Sequence, residues 1–343
     1  MYTKNIALRK KISDWLIIMF FIISIMIIIG GLTRLTDSGL SITEWQLFSG
    51  FLPPLNELDW ENYFALYKLI PEYKLQNFSM TLDEFKVIFW WEWIHRFLGR
   101  LIGIFFLIPL IFFTINLGFK KLTNLYFIFF LICFQGFIGW YMVSSGLVDR
   151  VDVSHFRLSL HLVIAFIILS LIFWNYLSLK INNYNKDRIS FKIPFIFLIL
   201  VFFQITVGAF VSGMDAGKIY NTWPLMGSTF FPNDNEFLNL FKFTALSDPS
   251  LVQFIHRNLA YLIFLFYIFM FFKIYKSKFT KLYLAINITG VLLLLQIILG
   301  IFTLIHGAQI IIASMHQVSS IFLVSSCIYL LYLNTNIIQQ PSN

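Results

Sequence analysis

Four histidines occupy related positions in the most apolar parts of this chain. His95 lies in "EWIHR" and His256 in the similar "QFIHR", while His161 and His316 lie in "LSLHL" and "MHQ". Polar groups within apolar segments are costly and tend to be functional. Two facing imidazoles on neighbouring helices are what axial ligation of a haem iron requires. The four histidines therefore predict two bis-histidine haem sites, whereas zinc would need three or four ligands at one centre.

The residues around the first of these histidines share one helical face. Glu92, His95, Arg96 and Gly99 stand at i, i+3, i+4 and i+7. Gly99 removes a side chain one turn from His95, where a flat macrocycle would lie against the helix. A buried carboxylate one turn from a ligand can transfer protons or stabilise developing positive charge. The similar segment around His256 has Gln253 in place of Glu92. This difference predicts that the chemistry occurs only at the site that contains His95.

Arginines near the same helix ends are candidate partners of the haem propionates, through charge-assisted hydrogen bonds. Arg96 and Arg257 are a matched pair, and Arg100 and Arg157 occur in the first copy only. Two alternatives stay open. Each arginine can extend to the lipid head groups, and Glu92 can form a structural ion pair with Arg96 or Arg100.

Four other polar residues near the ends of apolar runs are given structural roles. His155 and His306 have no counterpart in the other copy, so we expect them in loops or at the surface. Asp37 and Asp215 lie in matched D-x-G sequences, which are typical of turns.

The elements that carry these residues are apolar enough to cross a membrane. Of 343 residues, 59% are hydrophobic and only 12% are charged. Because a spanning helix needs about 20 residues and the runs are continuously apolar, helices and not barrel strands are expected. The chain is therefore predicted to be an all-α integral membrane protein with eight transmembrane helices, at 15–34, 87–116, 122–144, 156–178, 193–212, 251–272, 281–304 and 309–333.

The distribution of Lys and Arg predicts the orientation of these helices. The N-terminal segment and the second, fourth and sixth connections hold 14 basic residues, and the other connections hold six. By the positive-inside rule both termini are cytoplasmic, and a bacterial inner membrane is the simplest location. All four histidines then lie towards the outer face. This asymmetry also explains the net charge of +8, so no nucleic-acid partner is predicted.

The sequence contains an internal repeat. "GGLTRLTDSGLSITEW" (30–45) aligns with "GAFVSGMDAGKIYNTW" (208–223), and "QGFIG" aligns with "QIILG" further along each copy. We predict two four-helix bundles, 1–180 and 190–343, related by a pseudo-twofold axis along the membrane normal. The first half also carries a long outer loop, 46–84, which is expected to form an ordered cap.

Together these motifs resemble the haem A synthase family, in the branch shared by mitochondria and alphaproteobacteria. The resemblance implies two successive oxygenations of the C8 methyl group of haem O, using dioxygen, to give the formyl group of haem A. It makes His95 and His161 the ligands of the substrate haem, His256 and His316 the ligands of a haem b cofactor, and Glu92 the essential acid. Haem O synthase, cytochrome oxidase assembly factors and a second copy of the chain are the partners that this family suggests.

Two other functions use the same histidines. A bis-haem electron carrier of cytochrome b type predicts two similar haem b groups and a dispensable Glu92. A haem transporter or chaperone predicts reversible haem binding without oxygen consumption. The difference between Glu92 and Gln253 favours the enzyme.

Overall fold

A computed structural model describes residues 5–45, 49–148, 150–181 and 188–335. Within these ranges eight helices are long and apolar enough to cross a membrane, which confirms the predicted number of spans and the all-helical class. Two shorter helices lie in the outer loop. In chain order the helices are α1 (Ile6–Leu35), α2 (Glu57–Tyr67), α3 (Pro71–Leu75), α4 (Leu82–Leu117), α5 (Thr123–Gly146), α6 (His155–Lys180), α7 (Lys192–Gly213), α8 (Pro249–Lys276), α9 (Tyr283–Ile305) and α10 (Ile310–Leu333).

Local capping explains where two of the histidine-bearing helices, α4 and α8, begin. α4 starts five residues before its apolar run because Thr81 and Glu84 form a capping box, in which the Thr81 backbone N–H donates to the Glu84 carboxylate at 2.8 Å. α8 starts at Pro249, and the carboxylate of Asp248 accepts from the Leu251 N–H at 3.0 Å. The early start of α4 carries this helix out to the cap of the first half.

Four helices form the centre of the molecule. α1 packs against α6 and α10, and α7 packs against the same two helices. The other four spans lie outside them: α4 contacts α1, α5 contacts α6, α8 contacts α7, and α9 contacts α10. Each outer helix is therefore paired with one inner helix, in the same order in both parts of the chain.

The connection between α1 and α4 forms a packed cap. Phe64 and Tyr67 of α2 lie against Phe85 of α4, with ring centroids 5.1 Å apart in both pairs. The Tyr67 hydroxyl, which is fully buried, donates to the carboxylate of Glu72 in α3 at 3.1 Å. The expected ordered cap is thus present over residues 49–81. Residues 82–84 of the predicted loop form the first turn of α4, and residues 46–48 lie outside the described ranges.

Candidate functional site

Each of the four histidines lies directly against a glycine of a neighbouring helix. A methyl group added to any of these glycines would come within 2.9–3.1 Å of the Cε1 atom of the ring, which is closer than side chains normally pack. The central helices α1 and α7 supply the glycine in two pairs, and the peripheral helices α5 and α9 supply it in the other two. The pairs are Gly30 with His95, Gly139 with His161, Gly208 with His256, and Gly300 with His316.

These glycines are related by the repeat in the sequence. Gly30 and Gly208 open the aligned segments that begin "GGLTR" and "GAFVS", and Gly139 and Gly300 close "QGFIG" and "QIILG". The absence of a Cβ lets each imidazole approach the backbone of the next helix. We call each of these contacts between a histidine ring and a glycine a glycine seat. All four histidines have one, a feature that the histidine pattern alone did not predict.

At three of the four histidines, a glutamine of the glycine-bearing helix also contacts the histidine-bearing helix. The Nε2 atoms of Gln135, Gln204 and Gln296 donate to the backbone carbonyls of His161, His256 and His316, at 2.9, 3.0 and 3.0 Å. Each glutamine stands four residues before the glycine of its pair, so Q-x-x-x-G is the sequence signal for the seat. At the fourth seat the corresponding residue is Met26. The glutamines fix the backbone of the histidine-bearing helix at the level of the ligand.

The first pair of rings has the spacing of a metal-ligand pair. The ring centroids of His95 and His161 are 6.4 Å apart and their planes are inclined by 51°. A metal atom bonded at roughly 2 Å to one nitrogen of each ring fits between them. The pair therefore suits axial ligation of a single iron.

Several ring nitrogens have no hydrogen-bond partner among the residues that the structure describes. The Nδ1 atoms of His95, His161 and His256 are buried and make no hydrogen bond. Buried nitrogens without a partner are exceptions that a bound group can explain. In the second pair, Gln204 Nε2 lies 3.2 Å from Nε2 of His256. Iron ligation through that atom would replace this contact.

Glu92 is 3% exposed and its carboxylate is surrounded by donors. The Ser41 hydroxyl and the Ile42 N–H each donate to Oε2 at 2.7 Å. Arg96 donates to Oε1 through Nε at 3.1 Å and Nη2 at 2.6 Å. The alternative of an ion pair between Glu92 and Arg96 is thus realised within α4. The hydrogen bonds from Ser41 and Ile42 to the same carboxylate tie the loop after α1 to α4, one turn from His95.

The matched arginines hold equivalent loops. Arg96 donates to two backbone carbonyls, and Arg257 to three, in the segment that follows the first helix of its half, at 2.8–3.2 Å. The acceptors are Ile42 and Glu44 for Arg96, and Tyr220, Thr222 and Leu225 for Arg257. Both arginines therefore anchor a loop over their histidine site in addition to any contact with a ligand.

The remaining candidates lie around the first pair. Arg100 stacks over Phe51 of the outer loop at 5.4 Å, and Arg157 stacks over Tyr141 of α5 at 4.6 Å. Gly99 faces α1, where an added Cβ would lie 3.5 Å from Met26. At that distance a Cβ would make an ordinary van der Waals contact, so the packing of α4 on α1 does not itself require glycine here.

The expectation for His155 as a loop or surface residue was wrong. His155 is the first residue of α6, and its ring packs edge-on against Phe210 of α7 at 5.5 Å. Ser154 is the last residue of the loop before α6. Phe210 lies one turn before the end of α7, so the His155 ring fills the contact between the inner helices α6 and α7. His306 lies in an exposed turn, as expected.

Comparisons with known proteins agree with this arrangement. Residues 13–328 match the family described as cytochrome oxidase assembly protein. The chain belongs to this family. It is 51% identical to a haem A synthase of Pelagibacter ubique, over 95% of this chain and 97% of the relative. Haem A synthases of Rickettsia bellii and Rickettsia prowazekii are 42% and 41% identical, over 94% and 96% of this chain and 98% and 99% of theirs.

Membership of the family confirms the resemblance inferred from the motifs. The matched region includes all four histidines, their glycine seats and Glu92. Because the relatives are covered almost end to end, the family match applies to both halves of the chain and to the cap between α1 and α4.

Proposed function

We propose that this chain is an oxidoreductase that converts haem O to haem A for cytochrome oxidase assembly. The observation that carries the proposal is the recurrence of one ligand seat at four repeat-related positions, with a buried carboxylate beside only one of them. Relatives named haem A synthase, at up to 51% identity over nearly the full length, support the same reaction.

The two histidine pairs are assigned to different haems. His95 and His161 would hold haem O as substrate, and His256 and His316 would hold a resident haem b. When bound, haem b supplies one-electron redox chemistry, and dioxygen is the oxidant proposed for the two oxygenations. The 6.4 Å separation of the first ring pair and the buried unpartnered nitrogens support this assignment.

Glu92 is the residue proposed to act on the substrate. Its carboxylate is held one turn from His95 by Ser41, Ile42 and Arg96. In this position it can take up a proton, or stabilise positive charge that develops close to the ligand. In the other half Gln253 makes the loop contact without a charge, since its Nε2 donates to the Tyr220 carbonyl at 3.1 Å. The difference supports a reactive first site and a cofactor in the second.

The arginines have two proposed tasks. Arg96 and Arg257 close a loop over each site and so exclude water from the ligand end of the helix. Arg100 and Arg157 are held by the aromatic faces of Phe51 and Tyr141, and they are proposed to bind the substrate's propionates. One arginine is matched between the halves, and two further arginines occur in the first half. This distribution supports a resident haem in the second half and an exchanging haem in the first.

The proposed setting is a bacterial inner membrane, with both termini cytoplasmic and both haem sites towards the outer face. The two halves, 1–180 and 190–343, are proposed to be related by a pseudo-twofold axis along the membrane normal. The equivalent helix contacts and the repeated glycine seats support this relation. Haem O synthase and cytochrome oxidase assembly factors are the proposed partners, and self-association is a further proposal.

The test is chromatographic identification of haems extracted from the purified protein, made in cells that supply haem O. We expect haem A with haem B from the unmodified chain, and haem O or a hydroxylated intermediate from Glu92→Gln. Glu61→Gln, which alters an exposed carboxylate of α2, is the control and should still yield haem A. Haem B alone in all three proteins, at two per chain, would instead establish a bis-haem electron carrier.

A further inference from the structure

Two adjacent glycines of α1 face different histidine sites. Gly30 faces the ring of His95, in the first half of the chain. Gly31 faces α10 of the second half, where a Cβ added to it would overlap the side-chain amide of Gln317. Gln317 directly follows His316 in the sequence. One dipeptide of α1 therefore touches a ligand of the first site and the neighbour of a ligand of the second.

The contact of Gln317 with α1 is a specific insertion. Its Nε2 donates to the backbone carbonyl of Ile27 at 2.8 Å, in a partly buried position. The side chain enters the notch left by the missing Cβ of Gly31, one turn further along α1. A polar side chain that is buried in this way must keep its hydrogen bond, because an unsatisfied amide is costly in an apolar environment. The hydrogen bond and the notch together set the position of α10 against α1.

The repeat does not provide this joint a second time. By the offsets that relate the two halves, the residue equivalent to Gly31 is Ala209, and the residue equivalent to Gln317 is Leu162. Neither a notch nor an amide is present at those positions. The contact between Gly31 and Gln317 is therefore found in one copy of the repeat and not in the other. It links α1 to α10, the helix that bears His316.

We propose that Gln317 and Gly31 form a positioning joint that places His316 of the cofactor site relative to the helix that seats His95. This proposal rests on the proposed function, because it takes His256 and His316 as the ligands of haem b. Gln317 is a positioning residue, since it acts through α1 and its neighbour His316. The joint gives a physical reason for the glutamine in "MHQ" and for the second glycine in "GGLTR".

The test compares the two adjacent glycines in a chain whose first site is disabled. Full-length protein with His95→Ala is produced in cells that lack haem O, so that the second site is read alone through its haem b. Gly31→Ala and Gly30→Ala are then added separately. The readouts are the haem b retained after purification, its low-spin ferric spectrum and its reduction potential.

We expect Gly31→Ala to reduce haem b retention and to shift the spectrum and the potential, because the displaced Gln317 moves His316. Gly30→Ala should leave all three unchanged, since its methyl group meets only the space vacated by the His95 ring. Adding Gln317→Leu to Gly31→Ala should recover part of the loss, because the amide that overlaps the added methyl group is removed, and the lost hydrogen bond to Ile27 accounts for the remainder.

Equal effects of both glycine variants, or no effect of Gly31→Ala, would overturn the joint while leaving the haem assignment intact. A parent protein without low-spin haem b would instead refute the cofactor assignment. In that case thermal unfolding of the same variants decides the packing claim: a midpoint lowered by Gly31→Ala and partly recovered by Gln317→Leu supports the joint, and an unrecovered midpoint refutes it.

Discussion

A methyl group on Gly30 would lie 2.9 Å from Cε1 of His95. The same relation at Gly139, Gly208 and Gly300 means that the position of every proposed ligand depends on a glycine of another helix. Such a seat fixes the ring by close packing against the backbone of another helix. Each seat therefore yields a separate prediction about which haem is lost.

Gly139→Ala should reduce the haem O and haem A bound to the protein, whereas Gly300→Ala should reduce haem b. Each added Cβ lies 3.0–3.1 Å from its histidine, so the ring or the helix must shift. Overpacking of this kind typically costs about 1–3 kcal/mol. Chromatography of extracted haems measures both losses in the same samples.

The control for these seats is Gly136→Ala. Gly136 lies on the same helix as Gly139, and a Cβ added there meets nothing within 4 Å. The substitution should therefore leave the haem content unchanged. Loss of the same haem from both Gly139→Ala and Gly300→Ala would contradict the assignment of one haem to each histidine pair.

The sequence predicted the spans, the four histidines and Glu92 because each depends on a local property. Continuous apolar runs predict membrane helices, and a histidine within one is conspicuous whatever surrounds it. The glycine seats depend on contacts between helices, which no local pattern specifies. The Q-x-x-x-G spacing at Gln135, Gln204 and Gln296 is visible in the sequence, but only the structure shows that the glutamine reaches a histidine carbonyl.

The arginines illustrate a different limit. Arg96 and Arg257 were predicted to be ligand-binding candidates because their charge is unusual near an apolar run. The structure shows that each also binds backbone carbonyls of a loop more than 30 residues away in the sequence. Residue type indicated a strong donor, but the acceptor is set by how the loop returns to the helix. Long-range backbone acceptors leave no mark on the sequence.

Ser41→Ala should destabilise the loop over the first site. The Ser41 hydroxyl is buried and donates to Glu92 at 2.7 Å. Its removal leaves a buried carboxylate oxygen with one donor fewer, which costs about 1–3 kcal/mol. A lower midpoint of thermal unfolding, together with faster hydrogen exchange at Ile42, is the expected result.

Ser144→Ala is the matched control for Ser41. The Ser144 hydroxyl donates to the Tyr141 carbonyl of its own helix, and the bond is exposed. The unfolding midpoint of this variant should match that of the unmodified protein. Equal midpoints for Ser41→Ala and Ser144→Ala would show that the Ser41 bond to Glu92 has no role in holding the loop.

Arg34→Met should weaken the contact between the two halves. Arg34 lies at the end of α1, with its side chain only 10% exposed, and donates to the Ser212 carbonyl of α7 at 2.8 Å. It also pairs with Asp37 and, at 3.6 Å, with Asp215, the two aspartates of the matched turns. A hydrogen bond from a charged group contributes roughly 1.5–3 kcal/mol, so the free energy of unfolding should fall by that amount.

An exposed ion pair gives the comparison for Arg34. Lys86 pairs with Asp83 at 3.3 Å, and the Asp83 side chain is 92% exposed. Because such pairs contribute about 0–1 kcal/mol, Lys86→Met should change the free energy of unfolding little. If denaturant unfolding gives the same loss for both variants, Arg34 does not connect the halves.

The cap is predicted to lose stability as the pH rises. Burial raises the pKa of Glu72 from 4.5 to about 8, the Tyr67 hydroxyl lowers it in part, and the charges of Glu92, Asp152 and Asp37 raise it further. The folded cap thus favours the neutral acid. Its contribution to stability is complete below the ordinary pKa of 4.5 and falls as the pH rises towards 8.

Hydrogen exchange of α2 and α3 in detergent or nanodiscs measures this loss, between about pH 5 and pH 9. Glu72→Gln keeps an oxygen to accept from Tyr67 but cannot ionise, so its cap should be better protected than the unmodified cap at high pH and equally protected at low pH. Comparing the two proteins at each pH cancels the intrinsic pH dependence of exchange. Glu61→Gln, at an exposed position of α2, should follow the unmodified protein throughout. A constant difference between Glu72→Gln and the unmodified chain across the whole range would show that Glu72 does not ionise there.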